Sequence, residues 1–186
     1  ARLLNLYKRS FPEYSEKFVS IGTVTNDDEK FKNINNVIYA GSLGRYYRKN
    51  IKDFKNNSFL KVDNKNFEEM QIKLSVYKKK YKIGLSWKSF NNQYAKNKSL
   101  NLKDLNNIFN LTNCDIFNLQ YGDVKNEING FNSVNKNKLL NVDGLDLYND
   151  FEGIASLLKS LDVFISVSNS TAHLAGALGV KTILIK

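Results

Sequence analysis

The sequence has 186 residues, 42% of them hydrophobic, and a formal net charge of +10 at pH 7. This length makes one ordinary domain or parts of two, and the hydrophobic content is enough for a buried core rather than global disorder. No apolar run approaches the roughly 20 residues that span a bilayer, and the first residues lack the charged and then apolar layout of a signal peptide. Cys114 is the single cysteine, which excludes an internal disulfide and favours a reducing, cytoplasmic location.

The positive charge is spread along the chain instead of being gathered in one patch. The one dense basic run, 78–80, is expected to end a helix, where cations suit the helix dipole. Dispersed basic charge supports only nonspecific attraction to nucleic acid, so no specific nucleic-acid partner is predicted.

Residues 1–62 contain short, separate candidate elements. Apolar residues at positions 3, 4, 6 and 7 indicate the end of a helix, the runs 18–21 and 37–39 indicate strands, and 41–44 indicates a turn. These elements are too few to close a core of their own.

From residue 66 onward, strands alternate with helices. Strands are predicted over 83–87, 116–119, 139–142, 163–167 and 182–185, and helices over 67–77, 102–109, 151–161 and 170–178. This alternation predicts the α/β class, with a parallel sheet covered by helices. The chain starts abruptly and stops at the end of a predicted strand, so we expect a fragment of a longer protein.

Right-handed crossovers place the carboxyl ends of all strands in a parallel sheet on one side. That side gathers three segments that are distant in sequence, namely 86–88, 120–122 and 168–171. A ligand crevice is expected where they meet.

The most informative segment is 163–179, a buried strand, a turn of small polar residues and a helix that carries the single histidine, His173. Asn169 or Ser170 is a natural N-cap and Gly179 a natural C-terminal stop. A helix N-terminus at the end of a parallel strand can hold a phosphate or diphosphate, or the polar residues can serve only as a cap. The dipole favours a neutral imidazole at His173, either donating a hydrogen bond to a ligand or partly buried and satisfied within the protein.

Four other residues have two interpretations each. Lys88 could neutralise a phosphate or be a solvated loop lysine, and Trp87 could pack against a ligand ring or be a core aromatic residue. Gln120 and Tyr121 could reach a base or sugar edge, or form a turn.

Several chemistries lack their residues. One histidine and one cysteine cannot make a zinc site of the usual spacing, and there is no Asp-x-Asp pair to clamp a metal diphosphate. The P-loop, dinucleotide and nucleophile-elbow motifs are also absent. Neither a metal nor a cofactor is predicted.

The segments 82–88, 118–122 and 165–179 resemble the C-terminal half of glycosyltransferase family 9 relatives. These include heptosyltransferases and, as the closer match, the glycosyltransferase-like domains that follow tetratricopeptide repeats in many bacterial proteins. Segments 2–12 and 41–43 resemble the later part of the family's N-terminal domain, so the resemblance covers most of the chain. One departure is that 168–170 reads Ser-Asn-Ser where heptosyltransferases carry Asp-Thr-Gly, which removes a carboxylate contact to a sugar or nucleotide.

The resemblance implies a GT-B architecture, in which two Rossmann-like domains enclose the site. Residues 1–62 would be the remnant of the N-terminal, acceptor-side domain, and 63–186 the nucleotide-sugar-binding domain, truncated at its end. The donor diphosphate would lie at Ser168, Asn169, Ser170, Thr171, His173 and Lys88, and the nucleotide or sugar would contact Ser86, Trp87, Gln120 and Tyr121. The catalytic base would come from the N-terminal domain and is not assigned.

The resemblance predicts a metal-independent glycosyltransferase that moves a sugar from a nucleotide-diphosphate donor to a protein or glycan acceptor, with this fragment alone inactive. An inactive GT-B-like module that only binds the nucleotide or nucleotide sugar is the main alternative, because the carboxylate is lost. A sugar-nucleotide epimerase would need more carboxylates and histidines in the cleft, and a purely structural α/β domain would bind no ligand.

Overall fold

A computed structural model of the chain describes residues 2–20, 36–54, 57–90 and 98–185. Within these ranges five strands form one all-parallel sheet in the order β3-β2-β1-β4-β5. The strands are β1 (Tyr81–Ser86), β2 (Cys114–Asn118), β3 (Leu139–Leu140), β4 (Val163–Val167) and β5 (Thr182–Ile185). The predicted α/β class is confirmed, and the topology is Rossmann-like.

From residue 66 onward the helices follow the predicted alternation with one addition, and a short helix over 44–47 in the N-terminal part was also not predicted. They are α1 (Leu4–Ser10), α2 (Gly44–Tyr47), α3 (Asn64–Leu74), α4 (Asn106–Phe109), α5 (Lys125–Val134), α6 (Phe151–Lys159) and α7 (Ser170–Ala177). The helix α5 was not predicted, although Val124, Ile128 and Phe131 have helical spacing and are buried. The predicted helix 102–109 is instead a 3-10 turn, Leu102–Leu105, that continues into α4.

Helices cover both faces of the sheet. On one face, α3, α6 and α7 pack against the sheet around Leu74, Phe117, Leu158, Phe164 and Leu174. On the other face, α4, α5 and the 3-10 turn pack around Leu85, Trp87, Leu102, Phe109 and Phe131. The central strand β1 pairs with both β2 and β4, and its residues 83–86 are buried because helices cover both faces of the sheet.

The N-terminal helix α1 packs against the same core as α3 and α6. Leu6 has no exposed surface and lies with Leu60 and Met70 in that cluster. The Lys61 N–H donates to the Ser10 hydroxyl at 2.9 Å, and Arg9 pairs with Glu152 at 2.5 Å. The division at residue 62 remains a prediction.

Two predicted strands in the N-terminal part are wrong where the structure describes them. Residues 18–20 and 37–39 are in no strand, while Ile21 lies outside the described residues. Phe18 instead packs its ring on Tyr7, with centroids 5.6 Å apart, and Tyr39 is 82% exposed. Apolar, β-branched runs form strands only where a neighbouring strand accepts their hydrogen bonds, and here none of the described strands does.

The basic run 78–80 follows the end of α3 by several residues. The Lys78 ammonium donates to the Ser75 carbonyl, and the Lys79 ammonium donates to the Cys114 carbonyl. None of the described helices is long and apolar enough to cross a bilayer.

Candidate functional site

The carboxyl ends of β1, β2 and β4 meet as the topology rule predicts. The chain adds β2 and β3 on one side of β1, and then returns to add β4 and β5 on the other side. The order therefore reverses between β1 and β4, which is where open parallel sheets leave a crevice for ligands.

Gln120 is the acceptor around which the turn after β1 is built. Its Oε1 accepts from the Ser86 hydroxyl at 3.0 Å, the Trp87 N–H at 2.8 Å and the Lys88 N–H at 2.6 Å. The side chain is 1% exposed, and its own amide nitrogen donates to the Tyr121 carbonyl. Gln120 thus holds the ends of β1 and β2 together.

Asn169 is the N-cap of α7, one of the two predicted positions. Its Oδ1 accepts from the Ala172 N–H at 3.0 Å, and its Nδ2 donates to the Ser86 hydroxyl at 2.7 Å and the Lys88 carbonyl at 3.3 Å. The helix is followed by Gly179 at φ +71°, which confirms the predicted C-terminal stop. Ser86, Gln120 and Asn169 therefore form one buried network across the ends of β1, β2 and β4.

A cleft of about 330 Å³ opens beside this network. Ser170 and Thr171, the first two residues of α7, form one wall, and Tyr121 contributes to another. Further aromatic rings in the lining come from Phe90, Tyr148 and Phe151. Of the predicted site residues, Ser170, Thr171 and Tyr121 therefore share the cleft.

The aromatic lining forms a connected group of rings. Tyr121 lies 5.5 Å from Phe90 and 6.3 Å from Tyr148, measured between ring centroids. A second hollow of about 570 Å³, lined in part by Asn118 and Gln120, shares Tyr121 and Tyr148 with the cleft. Flat apolar faces beside polar groups suit a ligand that has both a ring and charged groups.

Other predicted residues lie away from the cleft. Trp87 has no exposed surface, which confirms its interpretation as a core residue, and it would have to be uncovered to contact a ligand. Ser168 is partly exposed in the turn before Asn169. His173 is exposed, so of its two interpretations the partly buried one is wrong, and donation to a ligand stays a prediction. It shares the solvent face of α7 with Ser170.

Lys88 is neither a solvated loop lysine nor part of the cleft lining. Its ammonium donates to Glu127 Oε2 at 2.6 Å, and the indole N–H of Trp87 donates to the same oxygen at 3.2 Å. Glu127 Oε1 accepts from the Leu102 N–H. Burial raises the pKa of Glu127, but these hydrogen bonds and the Lys88 charge outweigh it, so the pKa lies below its usual value.

Arg2 also lines the cleft, although it was not among the predicted site residues. Its guanidinium lies over the rings of Tyr148 and Phe151, 5.1 and 5.2 Å from their centroids, and Nη1 donates to the Tyr148 carbonyl at 2.6 Å. The packing of α1 against α6 brings it there from 146 residues away. No local motif signals such a contact.

Asp146 lies near Arg2 on the loop before α6. Hydrogen bonds from the Asn149 side chain and from the N–H groups of Tyr148 and Asn149 lower the pKa of Asp146, and the Arg2 charge lowers it further. Among the described residues, no three His, Cys, Asp or Glu side chains are grouped to hold a metal ion.

The fold and the crevice define a Rossmann-like α/β protein with a candidate ligand cleft at the switch point of its sheet. The chain is distantly similar to Protein FlbA of Caulobacter vibrioides, with 26% identity over 193 residues. The match covers 99% of this chain and 32% of FlbA, so the chain spans about a third of the length of that relative. No family profile and no solved structure matches the sequence.

Proposed function

We propose that the chain binds a nucleotide-diphosphate sugar in the cleft and is the donor-binding part of a glycosyltransferase. The observation that carries the proposal is the first turn of α7, which lines a cleft at the switch point of the sheet. The resemblance of 165–179 to glycosyltransferase family 9 relatives supports the same ligand class.

The charge and geometry of the cleft suit a diphosphate leaving group. The N–H groups of Ser170 and Thr171 and the dipole at the start of α7 would stabilise the negative charge that develops there. In the transfer, the bond between the sugar and the diphosphate oxygen breaks and a bond to the acceptor oxygen forms. The acceptor's proton passes to a base, and no carboxylate lines the cleft within the described ranges. That base would therefore come from outside the cleft.

The structure changes the proposed role of Lys88. Its ammonium is bound to Glu127, and it lines a different hollow, near Leu102 and Phe131. In our proposal, Lys88 therefore stabilises the turn after β1 and does not bind a phosphate.

Ser170 offers a variant pair that separates anion binding from helix stability. An aspartate at this first helical position suits the dipole but would repel a phosphate, whereas asparagine is similar in shape and neutral. Thermal melts of the wild type, Ser170→Asp and Ser170→Asn are recorded with UDP, ADP, GDP and CMP. A ligand at a hundredfold excess over its Kd adds about 2.7 kcal/mol of stability.

We expect one nucleotide to raise the Tm of the wild type and of Ser170→Asn but not of Ser170→Asp. If none of the four raises the Tm of a cooperatively melting wild type, the polar turn is only a helix cap and the proposal fails.

A binding module without transfer is the second candidate, favoured by the Ser-Asn-Ser sequence at 168–170. Release of the nucleoside diphosphate from labelled nucleotide sugars, with and without EDTA, by a longer protein that contains this chain would separate the two. Turnover that survives EDTA supports a metal-independent transferase, and tight binding without turnover supports the module.

A further inference from the structure

We propose that Arg2 pairs with a phosphate of the ligand in this cleft and makes the cleft selective for phosphorylated nucleosides over the nucleosides themselves. This inference rests on the proposed function, because it concerns the same cleft. It assigns the cationic role to a residue that lies in the N-terminal segment.

The charge of the lining favours an anion. Arg2 is the one charged side chain among the described residues that line the cleft, and it is exposed to solvent. No carboxylate comes within ion-pair distance of it in the part of the chain that the structure describes. Asp146, on the loop before α6, is near enough for the Arg2 charge to lower its pKa, but it makes no ion pair with Arg2 among the described residues. A cation without an ion-pair partner in a concave, aromatic-walled site attracts an anionic ligand.

The guanidinium is already held in place. It lies over the rings of Tyr148 and Phe151, and one of its five N–H groups donates to the Tyr148 carbonyl. These contacts hold the guanidinium at the cleft, and its remaining N–H groups can donate to phosphate oxygens, for which the planar fork is suited. Little side-chain entropy is then lost when a phosphate binds.

The alternative is that Arg2 only anchors the N-terminal segment to Tyr148 and Phe151. In that case its removal lowers stability without changing the preference for phosphate. Arg48 gives a matched control, because its guanidinium also lies over a ring, that of Phe54 at 5.8 Å, and also donates to a backbone carbonyl, that of Tyr47. It does not line the cleft.

The test measures binding by calorimetry for wild type, Arg2→Gln, Arg2→Lys and Arg48→Gln. The probes are UDP, ADP, GDP and CMP, and the corresponding nucleosides uridine, adenosine, guanosine and cytidine. For the nucleotide that binds the wild type, we expect Arg2→Gln to bind roughly 10- to 100-fold more weakly. The affinity of Arg2→Gln for the corresponding nucleoside should equal that of the wild type. The affinity of Arg48→Gln for the nucleotide should also equal that of the wild type.

Arg2→Lys keeps the charge and should retain part of the preference for phosphate. If Arg2→Gln melts at a lower temperature than the wild type, the nucleotide affinity of Arg2→Lys is compared with that of the wild type instead. The salt dependence of nucleotide binding should be shallower in Arg2→Gln than in the wild type, since one screened charge is gone.

Three outcomes overturn the inference, and only the third is also a failure of the proposed function. If the wild type binds a nucleotide and Arg2→Gln binds it equally well, only the role of Arg2 is wrong. If Arg2→Gln loses affinity for the nucleotide and for the nucleoside by the same factor, Arg2 shapes the cleft without recognising phosphate. If the wild type binds no probe, the proposed function fails as well.

Discussion

The side-chain amide of Asn169 donates a 2.7 Å hydrogen bond to the hydroxyl of Ser86 and so joins the carboxyl ends of β4 and β1 across 83 residues of sequence. The same side chain caps α7 through the Ala172 N–H. Both residues are buried, at 6% and 0% exposure. The helix start that forms one wall of the cleft is therefore tied directly to the central strand.

Two substitutions of Asn169 separate its two contacts. Asn169→Asp keeps a good cap acceptor but replaces the donor to Ser86 and Lys88, so it should lower the free energy of unfolding by about 1–2 kcal/mol. Asn169→Ala removes both contacts and should cost about 2–3 kcal/mol. Urea denaturation measures both.

The control is Asp150→Ala, which removes the exposed cap of α6 and its bond to the Gly153 N–H. It should cost about 1 kcal/mol. An Asn169→Asp protein as stable as the wild type would show that the amide contact to Ser86 contributes nothing.

Gln120 should be more important for stability than its position in a turn suggests. Gln120→Ala leaves the Ser86 hydroxyl and the N–H groups of Trp87 and Lys88 without their acceptor, so we expect a loss of about 2–4 kcal/mol. Gln71→Ala is the control, because Gln71 makes an exposed bond to Ser160 and its loss should change stability by under about 0.5 kcal/mol. Equal effects of the two alanines in urea melts would contradict the role given to Gln120.

The Glu127 carboxylate should make the fold sensitive to acid. Its pKa is below the usual 4.5 in the folded protein because, despite burial, Lys88, Leu102 and Trp87 donate to it. The unfolded chain then binds more protons near this pH, so the stabilisation is complete above about pH 4.5 and is lost as the pH falls through the lower, folded pKa. Glu127→Gln lacks this titration.

Thermal melts between pH 3 and pH 6 compare the two proteins. The difference in stability between the wild type and Glu127→Gln should shrink as the pH falls, whereas Asp146 titrates equally in both and cancels. A difference that stays constant over this range would show that the Glu127 contacts do not depend on its charge.

The sheet was predictable because its signals are local. Apolar runs such as 163–167 and 182–185 agree with β4 and β5 residue for residue, since continuous apolar stretches are typical of parallel strands. The helix α5 was missed because asparagines and Gly130 dilute its apolar spacing. The wrong strands at 18–20 and 37–39 had suitable composition, but pairing partners are a tertiary property that composition does not carry.

The candidate site was predictable only in part, for a similar reason. The topology rule placed Ser86, Gln120 and Asn169 together, and the structure brings them into one network. The ion pair of Lys88 with Glu127 depends on the missed helix α5, and the arrival of Arg2 depends on how α1 packs. Neither contact has a signal in the sequence near the residue concerned.

Alanine substitutions at Gly84 and Gly130 should change the free energy of unfolding in opposite directions. A Cβ at Gly84 in β1 would lie 2.5–2.9 Å from side-chain atoms of Leu161, Leu119 and Phe164, whereas nothing lies within 4 Å of a Cβ at Gly130 in α5. Gly84→Ala should therefore cost about 1–3 kcal/mol through overpacking, and Gly130→Ala should add about 0.5–1 kcal/mol through helix propensity. Urea denaturation of both variants checks the signs. A stabilising Gly84→Ala would mean that the core around Gly84 has room for a methyl group.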